Sequence, residues 1–124
     1  MKEIMSFIRP AKVNATKKAL ADAGFPAFLC RACLGRGKKA LDPAALKLVL
    51  ESGGLPVSAE GEALTEALRL IPKRFFTVFV EDGDADEAIK TIIKANRTGN
   101  PGDGRIFVLP TLESYGVRTG EPGL

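Results

Sequence analysis

Histidine and tryptophan are both absent from this chain of 124 residues, and tyrosine occurs only once. Without histidine, the chain cannot supply a Ser-His-Asp triad, a histidine ligand to a metal, or a phosphohistidine. The scarcity of large aromatic side chains leaves few platforms on which bases could stack, so nucleic acid is not an expected partner. A formal net charge of +3 permits small anionic ligands.

Long hydrophobic runs are also lacking. No apolar stretch approaches the roughly 18 residues that a membrane span needs, so no membrane insertion is expected. The first ten residues carry neither a long apolar segment nor a small-residue cleavage site, and we therefore expect a cytoplasmic protein. A length of 124 residues fits one domain.

Cysteine occurs twice, at Cys30 and Cys33. In redox enzymes a C-x-x-C motif opens a helix, whose N-terminus lowers the pKa of the thiol. Here the flanking residues predict a strand, in which residues three apart face opposite sides. We therefore interpret the two thiols as structural and expect neither a redox site nor a metal site.

The apolar pattern predicts four strands and two helices in the order strand, helix, strand, long loop, strand, helix, strand. Strands are expected over 2–9, 25–34, 74–80 and 105–109, and helices over 15–23 and 85–97. This order is that of the ferredoxin-like α+β fold, βαββαβ, with both helices on one face of the sheet.

Capping residues and apolar spacing define the two predicted helices. Asn14 is the expected N-cap of the first helix and Gly24 its C-terminal stop. Its buried face is expected to contain Ala15, Ala19 and Leu20. The second helix is expected to be capped by Asp84 or Asp86 and to bury the stripe Ala85, Ala88, Ile89, Ile92 and Ile93.

Residues 36–72 show no strand pattern, and a connection this long inside a small domain is usually functional or disordered. We interpret it as a protrusion that orders on contact with a partner. A small helical insertion packed on its own domain is the alternative.

The third strand predicts an oligomer. Phe75, Thr77 and Phe79 share one of its faces, and Phe76, Val78 and Val80 share the other. Because the helices cover only one face of the sheet, the other must be buried by something else. Association with further copies is the simplest solution.

The stretch Thr98–Phe107, with sequence TGNPGDGRIF, concentrates glycine before an apolar strand. Such a turn can aim several backbone N–H groups at one anion, and Arg105 adds a permanent charge. A tight helix-to-strand turn with an exposed arginine is the alternative interpretation of the stretch alone.

Three segments together resemble the PII nitrogen-regulatory signalling proteins. These segments are Lys2-Glu3-Ile4 through Arg9-Pro10, Ile71-Pro72-Lys73, and Thr98-Gly99-x-x-Gly102-Asp103-Gly104-Arg105-Ile106-Phe107 followed by Arg118-Thr119-Gly120-Glu121. The run Gly35-Arg36-Gly37-Lys38-Lys39 is most similar to the branch encoded beside nitrogenase genes. The resemblance implies one PII-like domain over 1–124, with the T-loop at 36–72 and a C-terminal tail at 111–124.

The family implies a trimer, either of one chain or mixed with a paralogue, that binds ATP or ADP between subunits. It also implies 2-oxoglutarate and Mg²⁺ beside the nucleotide, and a target of nitrogen metabolism, such as nitrogenase, engaged through the T-loop. Carried over by position, Gly102, Asp103, Gly104 and Arg105 would surround the phosphates, with Lys38, Lys73 and Arg118 adding charge. Phe7, Thr77 and Phe79 would form the adenine pocket, and Gly35, Gly37 and Lys39 would bind the ligand from the base of the T-loop.

Three positions depart from the family pattern. Lys39 stands where the family usually has a glutamine that helps hold Mg²⁺ and 2-oxoglutarate, and a protonated lysine cannot ligate a cation. Gly116 replaces a common arginine of the tail, and Thr77 replaces a usual glutamate near the adenine. These departures support a second hypothesis, in which the scaffold takes another small anion and does not sense 2-oxoglutarate.

Two further classes of function, an enzyme and a nucleic-acid-binding module, fit the sequence less well. An enzyme on this fold would need a nucleophile or base near the glycine turn, where Asp103 is the evident candidate, and its flanking glycines suit binding better. We therefore do not expect an enzyme. A nucleic-acid module would need exposed aromatic side chains on the open face of the sheet, which a trimer would bury.

Overall fold

The computed structural model describes residues 1–37 and 70–124. The chain divides into two compact units, Met1–Cys33 with Pro72–Leu124, and Leu34–Ile71. The first unit contains nearly all of the described residues. The predicted T-loop, with Lys38 and Lys39 at its base, lies mostly outside them.

The described residues form a four-stranded sheet and two α-helices. The strands are β1 (Lys2–Ile8), β2 (Leu29–Gly35), β3 (Ile71–Val80) and β4 (Arg105–Pro110). The helices are α1 (Val13–Asp22) and α2 (Ala85–Asn96). The strand order is β2-β3-β1-β4, and β1 runs antiparallel to both β3 and β4. The predicted ferredoxin-like α+β fold is confirmed.

The core lies between the sheet and the helices. Alternate residues of the strands point towards it, as the period of two requires. Its fully buried side chains include Ile4, Ile8, Phe76 and Val78 from the sheet and Leu20 and Ile92 from the helices. Ser6 lies on the same face of β1, and its hydroxyl donates to the Phe76 carbonyl at 3.0 Å, so this buried hydroxyl has a hydrogen-bond partner.

The start of α1 differs from the prediction. Pro10–Lys12 form a 3-10 turn, and the helix begins at Val13 behind Lys12, so Asn14 is inside the helix and is not its N-cap. Proline suits this first turn because its missing N–H would have had no helical partner. The buried face also differs from the prediction, because Thr16 is buried with Leu20, Ala19 is half-buried and Ala15 is exposed.

The end of α1 follows the prediction for Gly24, which has φ +93°. The Phe25 N–H donates to the Leu20 carbonyl at 2.7 Å, and the Gly24 N–H donates to the Ala21 carbonyl at 3.1 Å. These two bonds form a Schellman motif. The chain then runs without strand pairing until Leu29, so the predicted start of the second strand at residue 25 is wrong.

The third strand begins earlier than predicted, at Ile71 rather than residue 74. Its ladder with β1 ends at the pair Ile8↔Arg74, so Pro72 lies beyond that ladder, where a missing N–H costs no bond to β1. The predicted faces are confirmed, because Phe76, Val78 and Val80 are buried against the helices.

In α2 the predicted stripe is mostly confirmed. Ala85, Ala88 and Ile92 are buried, but Ile93 is 37% exposed, and Asn96 takes the last buried position of the helix. Asp84 occupies the N-cap position without a capping hydrogen bond from its side chain. No α-helix of the described residues is long and apolar enough to cross a membrane.

The tail is more regular than the sequence suggested. Tyr115 pairs with Pro122 in an antiparallel bridge, and the Gly123 N–H donates to the Ser114 carbonyl at 2.9 Å. Residues 114–123 therefore form a small hairpin.

Candidate functional site: the glycine loop

Asp103 is the centre of the loop that joins α2 to β4. Its carboxylate accepts hydrogen bonds from the Thr98 hydroxyl, from the Thr98 N–H at 2.8 Å and from the Gly99 N–H at 3.1 Å. It also receives the Arg9 guanidinium at 2.6 Å from Nη1. The two hydrogen bonds from Thr98, followed by that from Arg9, hold the pKa of Asp103 well below its ordinary value. The loop is therefore closed around a carboxylate that stays ionised.

Two cations hold the outer side of the loop. Arg9 Nη2 donates to the Pro101 carbonyl at 3.0 Å, and Lys73 Nζ donates to the next carbonyl, that of Gly102, at 2.9 Å. Arg9 follows β1 and Lys73 lies near the start of β3, so the sheet delivers both cations to the loop from different parts of the sequence.

The two inner glycines of the loop are needed for different reasons. Gly102 has φ +95°, and a Cβ there would lie 3.3 Å from Arg9 Nη2. Gly104 has φ +112°, and a Cβ there would lie 1.9 Å from the Phe7 carbonyl oxygen. The loop thus passes directly against the backbone of β1, which only glycine allows.

Three backbone donors of the loop remain available. Within residues 1–37 and 70–124, no group accepts a hydrogen bond from the N–H of Gly102, Asp103 or Gly104. Successive N–H groups in a glycine turn make a concave site for an anion. Arg105 is exposed at the start of β4, directly after these donors. Arg9 pairs with the Asp103 carboxylate, Lys73 binds the Gly102 carbonyl, and Arg105 follows the loop in sequence, so three cations accompany one carboxylate.

The residues predicted to contact adenine lie on the open face of the sheet. Phe7 is opposite Phe75 on β3 and opposite Arg105 on β4, so the aromatic patch is continuous with the end of the glycine loop. The rings of Phe7 and Phe75 meet edge to face at 5.5 Å. Phe79 is 40% exposed, whereas Thr77 is buried and its hydroxyl donates to the Ile4 carbonyl at 3.1 Å.

Other predicted residues are not gathered at the loop. Arg118 is exposed in the tail, and the described residues show no hydrogen bond or ion pair from it to the loop. Gly35 ends β2 and Gly37 follows it, and both belong to the second unit. Lys38 and Lys39 lie outside the described residues, so their predicted roles stay predictions.

A cleft of about 290 Å³ opens between the end of α2, the loop and the start of β4. Ile92, Ile93 and Ile106 supply its apolar lining, and Arg97 and Arg105 supply charge. Asn96 also lines it, and the buried Asn96 Oδ1 accepts no hydrogen bond from any group in the described ranges. The cleft explains why Ile93 departs from the predicted buried stripe.

The cysteines lie on β2 as predicted. Cys30 is exposed, Cys33 is half-buried, and both carry free thiols. In residues 1–37 and 70–124 no three acidic or cysteine side chains come close enough to form a metal site.

Comparison with known proteins identifies the family. The family model described as Nitrogen regulatory protein P-II matches residues 1–121. This chain belongs to the P-II family. The shared residues therefore include the entire glycine loop and most of the tail hairpin.

Relatives come from methanogenic archaea. A protein of Methanothermococcus thermolithotrophicus named "Nitrogen fixation nifHD region GlnB-like protein 2" is 44% identical, covering 99% of this chain and 95% of its own. The protein of the same name from Methanothermobacter marburgensis is 36% identical, covering 99% and 97%. The "GlnB-like protein 1" of the nifHD region in M. thermolithotrophicus is 38% identical over the full length of both chains. The chain is thus a P-II-like nitrogen regulatory protein of the nifHD-region GlnB-like type, as the resemblance to the branch beside nitrogenase genes predicted.

Arg9 was not among the site residues predicted from the sequence, although the structure places it at the loop. From the sequence it appeared only as part of the Arg9-Pro10 motif, because its partner Asp103 is 94 positions away. Thr98 was likewise seen as the start of a turn and not as a donor to Asp103. The sequence signal that could have indicated Arg9 is Asp103. A lone carboxylate within a glycine turn suggests that a cation from elsewhere in the fold pairs with it.

Proposed function

We propose that this protein is a signalling protein that binds ATP or ADP at the glycine loop and regulates a target of nitrogen metabolism, such as nitrogenase, through residues 36–72. The observation that carries the proposal is the set of available N–H groups at Gly102, Asp103 and Gly104, followed by the exposed Arg105. A polyphosphate chain needs several fixed donors and compensating cations, and this loop supplies both.

The open face of the sheet supports the placement of the adenine. Phe7 lies one strand away from Phe75 and pairs in register with Arg105, so a nucleotide with phosphates at the loop would place its base over this patch. Exposed Phe79 and Phe107 extend the same apolar face. The proposal includes a trimer, of one chain or mixed with a paralogue, in which neighbouring copies cover this face and the site lies between them. It also includes a cytoplasmic location and a regulatory rather than enzymatic role.

The proposal extends to Mg²⁺ and 2-oxoglutarate beside the nucleotide, and Lys39 is the residue that argues against them, because a protonated ammonium cannot imitate the ligand type that it replaces. The competing function is a P-II scaffold that binds a different small anion and does not sense 2-oxoglutarate. Gly116 favours it, because a Cβ there would lie 3.0 Å from Thr119 Oγ1, so the tail turn is built around the absence of the usual arginine.

Isothermal titration of the protein with ATP, ADP and AMP, each with and without Mg²⁺ and 2-oxoglutarate, tests these functions. We expect ATP or ADP to bind, and Arg105→Gln to weaken binding by about tenfold, the effect of one charge-assisted hydrogen bond. Lys90→Gln, on the exposed side of α2, removes the same charge elsewhere and is the matched control.

Each outcome separates the alternatives. Binding of 2-oxoglutarate only in the presence of ATP would support the full sensor. Nucleotide binding without an effect of 2-oxoglutarate would indicate an adenylate-only sensor. No binding of any nucleotide would reject the proposal and leave the scaffold with another anion.

A further inference from the structure

We propose that Arg9 is the positioning residue of the glycine loop: its two terminal guanidinium nitrogens fix Asp103 and the Pro101 carbonyl together, and so set the direction of the Gly102 N–H. The consequence for nucleotide affinity rests on the function proposed above. The role in loop conformation does not, and can be measured without a ligand.

The geometry of the peptide group connects Arg9 to the anion site. The Pro101 carbonyl and the Gly102 N–H belong to one peptide unit, and in a trans peptide these two groups point in opposite directions. Because Arg9 Nη2 holds the Pro101 oxygen at 3.0 Å, the Gly102 N–H must point away from Arg9. Lys73 acts in the same way on the next peptide, through the Gly102 carbonyl, and thereby directs the Asp103 N–H.

The second nitrogen of Arg9 makes this direction stable. Nη1 binds Asp103 Oδ1, and the same carboxylate closes the start of the loop through the backbone N–H groups of Thr98 and Gly99. Arg9 therefore ties the middle of the loop to its beginning. A guanidinium presents its donors in a rigid planar fork, so both bonds form without further ordering.

Lysine at this position would keep the charge but not the geometry. An ammonium is a single centre on a flexible chain and does not reproduce a planar fork to two acceptors. Arg9→Lys therefore distinguishes two roles of Arg9. A general electrostatic effect would persist in this variant, whereas positioning by the planar fork would be lost. Contact of Arg9 with the ligand is not required, because both of its nitrogens are already engaged by the loop.

The experiment compares wild type with Arg9→Lys, Arg9→Gln and the control Lys90→Gln. The first measurement uses the protein without ligand: amide chemical shifts and hydrogen exchange at Gly99, Gly102 and Gly104 by NMR. We expect both Arg9 variants to shift all three amides and to speed the exchange of Gly99, whose N–H is bonded to Asp103, while signals of the β1–β3 ladder stay at wild-type positions. Unchanged loop amides in Arg9→Lys would overturn the proposal.

The second measurement is titration with ATP and with inorganic tripolyphosphate. Both Arg9 variants should lose affinity by about tenfold, and Lys90→Gln should stay within about twofold of wild type. Wild-type affinity in Arg9→Lys would show that charge alone suffices and would overturn the positioning role. If wild type itself binds neither probe, the proposed function fails, and the amide measurement still decides whether Arg9 sets the loop.

Discussion

Among the described glycines, Gly104 has the least space for a side chain. A Cβ there would meet the Phe7 carbonyl oxygen at 1.9 Å, and the φ of +112° is unfavourable for any other residue. We expect Gly104→Ala to lower the free energy of unfolding by about 3 kcal/mol, from backbone strain together with the forced separation of the loop from β1. Urea denaturation followed by circular dichroism measures the loss.

Two other glycines separate the causes of that loss. Gly99 has φ +85° but nothing within 4 Å of its Cβ position, so Gly99→Ala should cost only the conformational part, about 1 kcal/mol. Gly83 has neither a positive φ nor a neighbour, and Gly83→Ala should change stability by less than about 0.5 kcal/mol. Equal losses at Gly99 and Gly104 would show that contact with Phe7 contributes nothing.

Asp103 gives the loop a specific pH dependence. Hydrogen bonds from Thr98 and Arg9 lower its pKa in the folded state from the ordinary value of 3.8. A carboxyl with a lowered folded-state pKa stabilises the fold fully above its unfolded pKa, and this contribution is lost as the pH falls below it. We therefore expect the stability difference between wild type and Asp103→Asn to be constant from pH 7 to pH 5 and to shrink below about pH 4.

Urea titrations at fixed pH steps measure this difference. The control is Glu121→Gln, an exposed carboxyl of the tail whose side chain forms no hydrogen bond or ion pair with the described residues. A difference between wild type and Asp103→Asn that stays the same down to pH 2.5, about one unit below the ordinary pKa, would contradict the assignment of Asp103 as an ionised centre of the loop.

At the scale of elements, one polar contact joins the two helices across the core. Asn96 Nδ2 on α2 donates to Thr16 Oγ1 on α1 at 2.9 Å and to the Ile92 carbonyl at 2.9 Å. Thr16 Oγ1 donates its own proton to the Lys12 carbonyl at 2.8 Å, so it can only accept from Asn96. The nitrogen of the amide must therefore face Thr16, which leaves Asn96 Oδ1 as the buried oxygen without a donor.

This arrangement predicts unequal effects of two substitutions. Thr16→Val leaves a buried N–H donor without its acceptor, and we expect a loss of about 1–3 kcal/mol in the free energy of unfolding. Asn96→Ala removes the donor together with the unsatisfied oxygen, and should cost less. The double variant should resemble Asn96→Ala alone, because valine then leaves nothing unpaired. Additive losses in this double-mutant cycle would contradict the contact.

Sequence patterns predicted the elements well wherever hydrophobic periodicity decided them. Phe76, Val78 and Val80 share one face of β3, and Ala85, Ala88 and Ile92 recur at helical spacing in α2. Both elements were therefore predicted, although β3 begins three residues earlier than expected. The predicted start of α1 was wrong because Pro10 begins a 3-10 turn three residues before the helix. Its buried face includes Thr16 and not Ala15. Polar residues in a core give no periodic signal, and both Thr16 and Asn96 were missed for that reason.

The candidate site was only partly predictable for a related physical reason. Glycines and Arg105 are adjacent in sequence, so the turn and its charge are visible without a structure. Arg9 and Lys73 reach the loop only because β1 lies between β3 and β4 in the sheet. The residues that flank Arg9 and Lys73 in the sequence do not indicate that these side chains bind the carbonyls of Pro101 and Gly102. Contacts of this kind are set by topology, and a single sequence does not reveal them.

At the scale of the whole molecule, the main feature is the apolar face of the sheet that the two helices leave uncovered. Edge-to-face contacts join Phe7 to Phe75 and Phe107, and Phe79 and Leu109 lie on the same side. Phe79, Phe107 and Leu109 remain 37–45% exposed in the single chain. A contiguous exposed apolar face of this kind marks an interface. The register explains why covering it would also enclose the glycine loop, since Arg105 lies at the end of that face.

Association in solution is the corresponding prediction. Sedimentation equilibrium should give a mass three times that of the 13.2 kDa chain. Phe107→Glu, which places a charge in the middle of the apolar face, should shift the protein towards the monomer, because an unpaired carboxylate is costly to bury. Ala15→Glu, on the exposed side of α1, adds the same charge where no association is expected and should leave the mass unchanged. A monomer at every concentration of the wild-type protein would contradict the trimer and would leave the nucleotide to bind on a single chain. If Phe107→Glu instead kept the trimer, the copies would have to meet through another surface.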